Sequence, residues 1–288
     1  MSFAYIRPAD TAEAVALLRE EGTWLLAGGT DLLPKIRRGL VRPRVVVDIK
    51  GLPPTPPEEG FVDARANLDT LIPRLRGPAG FLLAEAARVL GSAQVRNRAS
   101  LGGNLANASP AADLAGPLLA LGAEVVIVGP GGSIRRPVDG FWLSPGKTAL
   151  EPGEIIWGAM LPSTSGVCMG AFEKYGLRQG VDLALVNVSV WIALGAGGTV
   201  ARAGLALGGV GPVVLTVPDA AGLLRGSRLE PEVIREAAEI AVRTARPRDD
   251  VRASAERRRN LVRALVFRAL NRVRRGLGRE LGAFPVER

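Results

Sequence analysis

The stretch that most constrains the fold of this chain runs from Arg96 to Gly116, RNRASLGGNLANASPAADLAG. After Arg98 it carries a single charged residue, Asp113, and its other side chains are no larger than those of Leu and Asn. Side chains this small leave space that a close-packed protein interior does not leave empty. We therefore expect a large, pre-formed ligand to fill the space above this stretch.

The composition of the 288 residues, with 47% hydrophobic and 23% charged residues, is that of a folded chain. Cys168 is the only cysteine, and histidine is absent. This excludes a disulfide framework, a zinc site made of Cys and His, an iron–sulfur cluster held by this chain and a histidine-dependent triad. The lone cysteine and the lack of an apolar signal core after Met1 predict a reducing, cytoplasmic location.

A long uncharged run from Leu183 to Ala201, LALVNVSVWIALGAGGTVA, has the composition of a membrane span. However, polar Asn187 and Ser189 alternate in it with valines, and glycines interrupt it near its end. Alternation followed by a glycine turn indicates two strands of a hairpin. We expect this hairpin and no membrane span.

The net charge of +9 comes almost entirely from arginine, and much of it lies on ERRRNLVRALVFRALNRVRR, residues 256–275. Apolar residues recur there at helical spacing, with arginines on the other side. The pattern predicts an amphipathic helix and no nucleic-acid binding, because no aromatic platform or recognised motif accompanies it. An acidic partner surface, an anionic ligand or solvent remain open as the surroundings of these arginines.

The order of the predicted elements divides the chain into two regions. Strands and helices alternate up to about residue 162, whereas several strands and then two long helices, at about 231–246 and 255–275, follow. Strands gathered before helices indicate an α+β unit with helices on one face of an antiparallel sheet. The best boundary lies near residues 162–168, which divides the chain into residues 1–165 and 166–288.

The first candidate site is the loop LLAGGTDLLPKIRRG, in which an apolar strand runs into Gly28 and Gly29. Residues without a Cβ atom let a ligand approach the backbone and leave successive amides free to bind it, and a helix start favours a phosphate. The same residues fit a plain turn in which Thr30 or Asp31 caps the helix. No G-x-G-x-x-G follows the strand, and the chain contains no P-loop sequence.

The second candidate site is Ser100 to Asn107, SLGGNLAN, which combines two adjacent glycines with hydroxyl and amide side chains. Such groups hydrogen-bond hydroxyls and phosphates without adding charge. Asp113, at the start of the next helical pattern, would cap that helix or accept hydrogen bonds from ribose-like hydroxyls. A long, polyhydroxylated ligand with a diphosphate would explain both loops, and FAD has that shape.

Together these segments resemble the FAD-binding medium subunit of molybdenum hydroxylases, a family that includes the flavoproteins of aerobic carbon monoxide dehydrogenase and the flavin portion of xanthine dehydrogenase. RNRASLGGNLANASPAAD is the most specific similarity, and the similarity covers nearly the whole chain in the family's order. The resemblance implies that residues 1–165 form an FAD-binding region of two α+β subdomains, at about residues 1–55 and 56–165, like that of vanillyl-alcohol oxidase. It also implies a C-terminal domain with a three-stranded antiparallel sheet backed by helices.

The resemblance also implies which residues bind FAD; no catalytic and no metal-binding residue is expected. The adenine and diphosphate side would be lined by Leu25, Leu26, Ala27, Gly28, Gly29, Thr30, Asp31 and Leu32. The diphosphate and ribityl chain would be held by Ser100, Leu101, Gly102, Gly103 and Asn104, with Asn107 and Asp113 completing the loop. Ile156 and Lys174 would lie near the flavin ring.

The function implied by the resemblance is electron transfer within a complex. FAD, bound without a covalent link, would take electrons from the [2Fe–2S] clusters of a small partner subunit. A large partner subunit would carry the molybdenum cofactor and oxidise the substrate, in a dimer of heterotrimers. NAD, a quinone or oxygen would then accept the electrons, and this chain alone would not oxidise substrate.

Three positions depart from the family pattern. Asp63 stands in the place of a glycine, Ser100 replaces a more frequent threonine, and Arg257 stands where an aromatic residue is common. The substitutions at 63 and 257 leave room for an alternative, a degenerate scaffold subunit that docks partners without binding flavin. The intact glycine loops argue against that alternative.

Overall fold

A computed structural model of the protein describes residues 2–53, 58–178 and 181–280. The first of these segments forms a three-stranded parallel sheet in the order β1-β3-β2. Val46 and Val47 of the central strand are fully buried, because that strand has a neighbour on each side and helices over the sheet. The elements are β1 (Ala4–Ile6), α1 (Thr11–Leu17), β2 (Thr23–Leu26), α2 (Leu32–Arg37) and β3 (Val45–Asp48).

The proline-rich segment GLPPTPPEEG, which predicts a loop, lies partly outside the described residues. After it, an antiparallel sheet in the order β4-β9-β5-β6 packs against several short helices and the longer, amphipathic α4. A small hairpin, β7-β8, stands apart from this sheet. The elements are β4 (Phe61–Asp63), α3 (Leu68–Leu71), α4 (Gly77–Arg88), α5 (Ala93–Arg96), α6 (Leu101–Ala106), α7 (Ala115–Leu121), β5 (Glu124–Gly129), β6 (Gly132–Pro137), β7 (Trp142–Ser144), β8 (Lys147–Thr148) and β9 (Ile155–Met160).

The last part of the chain is an antiparallel sheet followed by helices, as the order of the predicted elements indicates. Three long strands form the sheet, and a two-residue strand is added at its edge, giving the order β10-β11-β12-β13. The elements are β10 (Cys168–Tyr175), β11 (Val186–Leu194), β12 (Val200–Gly208), β13 (Leu215–Thr216), α8 (Pro218–Leu224), α9 (Pro231–Thr244) and α10 (Ala255–Glu280).

The uncharged run that begins at Leu183 is the hairpin of β11 and β12, so that prediction is confirmed. The sheet is covered on both faces, which explains the lack of charge. Val188 and Val190 belong to the core beneath α8, α9 and α10, whereas Trp191 belongs to the core shared with α4 and α7. The sequence predicted helices on one face of this sheet, and α8, α9 and α10 lie there. Helices α4 and α7 of the preceding region cover the other face, which the sequence analysis did not predict.

The arginine-rich helix α10 buries an apolar stripe that includes Leu265, Ala269 and Val273. Four of its arginines pair with acidic residues of the same chain, and two of these, Arg268 and Arg272, pair with Glu173 of β10. Part of its charge therefore holds α10 on strand β10. No helix in the described part of the chain is both long and apolar enough to cross a bilayer.

Candidate cofactor cleft

The first glycine loop joins β2 to α2 and packs against the backbone that leads into the second loop. A Cβ atom built on Gly28 would lie 1.9 Å from the Arg98 carbonyl oxygen. Gly29 has a φ of +74°, in the region that favours glycine. At Gly28 the missing side chain therefore serves the contact between the two loops, and not the approach of a ligand as the sequence had suggested.

The amide groups of the first loop are the feature that points to a ligand. None of the five successive amides from Gly28 to Leu32 donates a hydrogen bond to another atom of residues 2–53, 58–178 and 181–280. Backbone amides are strong donors that native structures pair with protein, water or ligand. Consecutive unpaired amides form the kind of concavity that binds anions.

The alternative interpretation of this loop, a plain helix cap, does not match the geometry. Asp31 occupies the N-cap position of α2 but makes no side-chain cap hydrogen bond. Its carboxylate instead forms an ion pair with Lys35 Nζ, one helical turn later, at 2.6 Å. Pro34 lies in the first turn of this helix, where its missing amide removes no intrahelical hydrogen bond.

The second glycine loop is the first turn of helix α6. Ser100 is its N-cap, and its Oγ accepts from the Gly103 amide at 3.1 Å. The Gly102 amide donates to the Ala64 carbonyl oxygen at 2.8 Å, and that of Asn104 donates to the Ser100 carbonyl oxygen at 3.1 Å. The amides of Gly102, Gly103 and Asn104 are thus already paired within the protein.

The second loop presents to the cleft the open side of Gly103 and the amide side chains of Asn104 and Asn107. A Cβ atom on Gly103 would meet only Ser100 Oγ, at 3.3 Å, so the space beside this glycine is open. Asn107 Oδ1 accepts from Lys35 Nζ of the facing loop at 2.7 Å, while Asn104 Oδ1 accepts from the Leu114 amide at 3.3 Å.

The two loops line one cavity of about 610 Å³ between the parallel sheet and the antiparallel sheet. Thirteen of the sequence-predicted residues line it: Leu25, Ala27, Gly28, Gly29, Thr30, Asp31, Leu32, Ser100, Gly102, Gly103, Asn104, Asn107 and Ile156. The residues that sequence reasoning missed include Trp24, Lys35, Arg65, Leu90, Val95 and Glu154. Only Lys35 carried a signal in the sequence, its spacing of one helical turn from Asp31.

Comparison with known proteins identifies what this cleft belongs to. A family model described as the FAD binding domain in molybdopterin dehydrogenase matches residues 1–164, and one described as the CO dehydrogenase flavoprotein C-terminal domain matches residues 171–273. The chain belongs to this flavoprotein family. FAD is the cofactor that such domains bind, and both the resemblance seen in the sequence and the fold class are confirmed.

Relatives of this flavoprotein match it along nearly their whole length. The carbon monoxide dehydrogenase medium chain of Hydrogenophaga pseudoflava is 33% identical over 93% of this chain and 96% of its own. The nicotine 6-hydroxylase medium subunit of Paenarthrobacter nicotinovorans is 32% identical over 92% of this chain and 95% of its own.

Solved structures agree with these sequence matches. Carbon monoxide dehydrogenase from Hydrogenophaga pseudoflava, in a form that lacks the Mo-pyranopterin moiety of the molybdenum cofactor, superposes with a TM-score of 0.88 at 32% identity, covering 95% of this chain and 97% of that one. Reconstituted carbon monoxide dehydrogenase from Oligotropha carboxidovorans gives a TM-score of 0.89 at 28% identity, covering 96% and 98%.

Two residues predicted at the cofactor by the family resemblance point away from the cleft. Leu26 is 9% exposed and Leu101 is fully buried, and neither lines the cavity. Successive residues of a strand face opposite sides, so Leu25 and Ala27 face the cleft while Leu26 packs into the core. Leu101 is directed inward because α6 turns its apolar face to the interior.

Asp113 and Lys174 do not line the cavity, and they pair with each other. Lys174 Nζ is 2.6 Å from Asp113 Oδ2 and also donates to the Val89 carbonyl oxygen at 3.2 Å, next to cavity-lining Leu90. Asn187 Nδ2 donates to Asp113 Oδ1 at 3.2 Å. Burial raises the pKa of the Asp113 carboxyl, and Lys174 and Asn187 only partly offset this.

Asp113 therefore joins the first region to the C-terminal sheet, and it is not the N-cap of α7, which is Leu114. Its pair with Lys174 crosses from the chain before α7 to strand β10. Direct contact of either residue with FAD remains a prediction.

The family departure at Asp63 has a partner in this chain. Asp63 Oδ2 accepts from Arg65 at 2.9 Å, and the Arg65 guanidinium lies 3.9 Å from the centroid of the Trp157 ring. Arg65 also donates to the Pro53 carbonyl oxygen at 2.8 Å. The carboxylate thus helps to hold a cation in the cleft wall. At another position that departs from the family pattern, the Arg257 guanidinium donates a hydrogen bond to the Tyr175 hydroxyl at 3.2 Å.

A charged cluster supports the first loop from behind. Asp48, at the end of β3, is buried and accepts from the Tyr5 hydroxyl and, at 2.6 Å, from Lys50 Nζ. Lys50 Nζ also donates to the Ala27 carbonyl oxygen at 3.2 Å, immediately before Gly28. Burial raises the pKa of Asp48, but hydrogen bonds from Lys50 and Tyr5 outweigh it, so the pKa lies below its ordinary value.

Proposed function

We propose that this chain is the FAD-binding electron-transfer subunit of a molybdenum-containing hydroxylase or dehydrogenase complex. The observation that carries the proposal is the cleft between the two glycine loops, where five successive amides of the first loop are unpaired within the described residues. The family match to an FAD-binding domain supports the same cofactor.

The residues of the cleft fit FAD. The amides from Gly28 to Leu32 would hold the diphosphate, and the open face of Gly103 would admit the ribityl chain. Leu90, Val95 and Ile156 supply an apolar wall suited to a flat ring. When bound, FAD supplies a redox centre that exchanges one or two electrons, and the chain positions it and sets its electrostatic surroundings.

The attachment would be non-covalent. The chain has no histidine, and its one cysteine, Cys168, lies on β10 and is not among the residues that line the cleft. The binding energy would therefore come from the backbone amides, the apolar wall and the polar side chains of the second loop.

The partners follow from the family and from the relatives named medium chain or medium subunit. A small subunit with [2Fe–2S] clusters would deliver electrons, and a large subunit with the molybdenum cofactor would oxidise the substrate, in a cytoplasmic dimer of heterotrimers. NAD, a quinone or oxygen would be the acceptor. Residues 1–165 would form the FAD-binding domain, with subdomains at about 1–55 and 56–165, and residues 166–288 the C-terminal domain.

The decisive experiment is flavin binding by the purified full chain and by Gly103→Leu. The wild-type chain is expected to bind FAD and, on its own, to oxidise no substrate. The leucine side chain would fill the open space beside Gly103, so the variant is expected to lose FAD binding while its melting temperature changes by only a few degrees.

Gly222→Leu is the matched control, because Gly222, like Gly103, is an exposed helical glycine, but it lies outside the cleft; a Cβ atom there would have nothing within 4 Å. It should bind FAD like the wild type. A wild-type chain that takes up no FAD even with its partner subunits present would contradict the proposal and favour the scaffold alternative.

A further inference from the structure

Lys35 is a cation of the cleft that joins its two walls. Its side chain is 39% exposed, and Nζ donates to Asn107 Oδ1 at 2.7 Å and lies 2.6 Å from Asp31 Oδ2 in an ion pair. Asp31 belongs to the first glycine loop and Asn107 to the second. An ammonium group has three donors, so these two partners leave at least one of them without an acceptor among residues 2–53, 58–178 and 181–280.

The other charged groups that line the cleft are held by partners outside it. The Arg65 guanidinium is stacked on Trp157 and its side chain is 7% exposed. Glu154 accepts two hydrogen bonds from Arg136. Lys35 differs from these groups, because its partner Asp31 also lines the cleft. Asp31 is half-exposed and belongs to the loop with the unpaired amides.

We propose that Lys35 is the charge partner of the FAD diphosphate; this inference rests on the proposed binding of FAD. The ammonium exchanges the Asp31 carboxylate for a diphosphate oxygen and keeps its hydrogen bond to Asn107, so that the cofactor is held to both walls. Backbone amides contribute only partial charges, whereas lysine binds phosphate as a full point charge. The affinity for FAD therefore depends on this one side chain and falls as salt rises.

The first test is titration of the flavin-free full chain with FAD. Lys35→Met removes the ammonium and keeps most of the stem, and it is expected to weaken FAD binding about ten- to hundredfold, the worth of a charge-assisted hydrogen bond. Lys35→Arg should retain most of the affinity. Arg38→Met removes an exposed charge that ends the same helix outside the cleft, and it should change the affinity less than about twofold.

The second test identifies the part of the cofactor that Lys35 contacts. ADP and adenosine compete with FAD for the cleft and differ only in the diphosphate. Lys35→Met is expected to weaken ADP about as much as FAD and to leave adenosine unchanged. Lys35→Gln provides the same comparison should the methionine variant be too unstable to purify.

The third test separates this role from neutralisation of Asp31. If Lys35 only cancelled the charge of Asp31, the double variant Asp31→Asn/Lys35→Met would bind FAD like the wild type; the proposal expects it to remain weak. Equal FAD affinity of wild type and Lys35→Met, or an equal loss for ADP and adenosine, would overturn the inference while leaving the proposed function intact. A wild-type chain without FAD binding would overturn both.

Discussion

The first glycine loop offers the cleft its backbone, whereas the second offers side chains and the open face of one glycine. In the first, the amides from Gly28 to Leu32 are unpaired within the described residues, and Gly28 packs against the Arg98 carbonyl. In the second, Ser100 and Ala64 already accept from the amides of Gly103 and Gly102. Two similar sequence patterns thus perform different tasks, because neighbouring chain segments pair the amides of only one.

The supports of the two loops differ as well. Behind the first loop stands a buried carboxylate, Asp48, that holds Lys50 against the Ala27 carbonyl. Behind the second stand neutral groups, the Ser100 hydroxyl and the Ala64 carbonyl. The first loop is therefore expected to respond to pH, and the second to the loss of a single hydroxyl.

The largest expected effect that tests this comparison is that of Gly28→Ala. Its Cβ atom would lie 1.9 Å from Arg98 O and 2.9 Å from Ala99 Cα, and both are backbone atoms that no side-chain rotation can move. We expect a loss of about 3 kcal/mol in the free energy of unfolding, measured by chemical denaturation. Gly103→Ala, whose Cβ would meet only a hydroxyl oxygen at 3.3 Å, should stay within about 1 kcal/mol of the wild type. Equal losses in the two variants would show that both glycines serve the same purpose.

A smaller effect is expected at the cap of the second loop. Ser100→Ala removes the acceptor of the Gly103 amide and should lower the free energy of unfolding by about 1 kcal/mol. Ser100→Thr keeps a hydroxyl and should be close to the wild type. Because α2 has no side-chain cap, Thr30→Ala should change stability by less than about 0.5 kcal/mol. A loss of about 1 kcal/mol in the free energy of unfolding of Thr30→Ala would contradict the difference in side-chain capping between the two loops.

The smallest effect is a pH dependence confined to the support of the first loop. The pKa of Asp48 is lowered in the folded protein, so its contribution to stability is present above the ordinary carboxyl value, about pH 4, and is lost as the pH falls below it. Asp48→Asn should melt below the wild type at pH 6, and the gap should close as the pH falls toward about 3. Glu21→Gln, at an exposed carboxylate, is the control. A gap of constant size across this range would contradict the assignment.

Much of the fold was predictable because it depends on local pattern. The alternation around Asn187 and Ser189 predicted the hairpin of β11 and β12, and the apolar stripe at residues 255–275 predicted α10. The two-residue strand β13 was not predicted, since it has too few residues to show a period. The second cover of the C-terminal sheet was missed because it comes from helices far away in the sequence.

The residues of the candidate site were likewise predictable only in part. Thirteen predicted residues line the cleft, but Leu26 and Leu101 do not, because a motif specifies a segment and not the side of the backbone that each residue takes. Asp113 and Lys174 were associated with the cofactor by resemblance alone, and in the structure they pair across the join between the first region and the C-terminal sheet. Lys35 and Arg65 were missed because their roles depend on distant partners, Asn107 and Trp157.

The sequence by itself determined the chemistry available to this protein: two glycine pairs after strands, small neutral side chains around them, and neither histidine nor a second cysteine to hold a metal or a covalent cofactor. It also determined the periodicity of the long elements. The tertiary structure alone decided which amides stay unpaired, which glycine is closed by a carbonyl, and that Lys35 reaches a residue 72 positions away. The physical reason is that these contacts arise where separate sheets and loops pack together, and the local sequence carries no record of the distance between them.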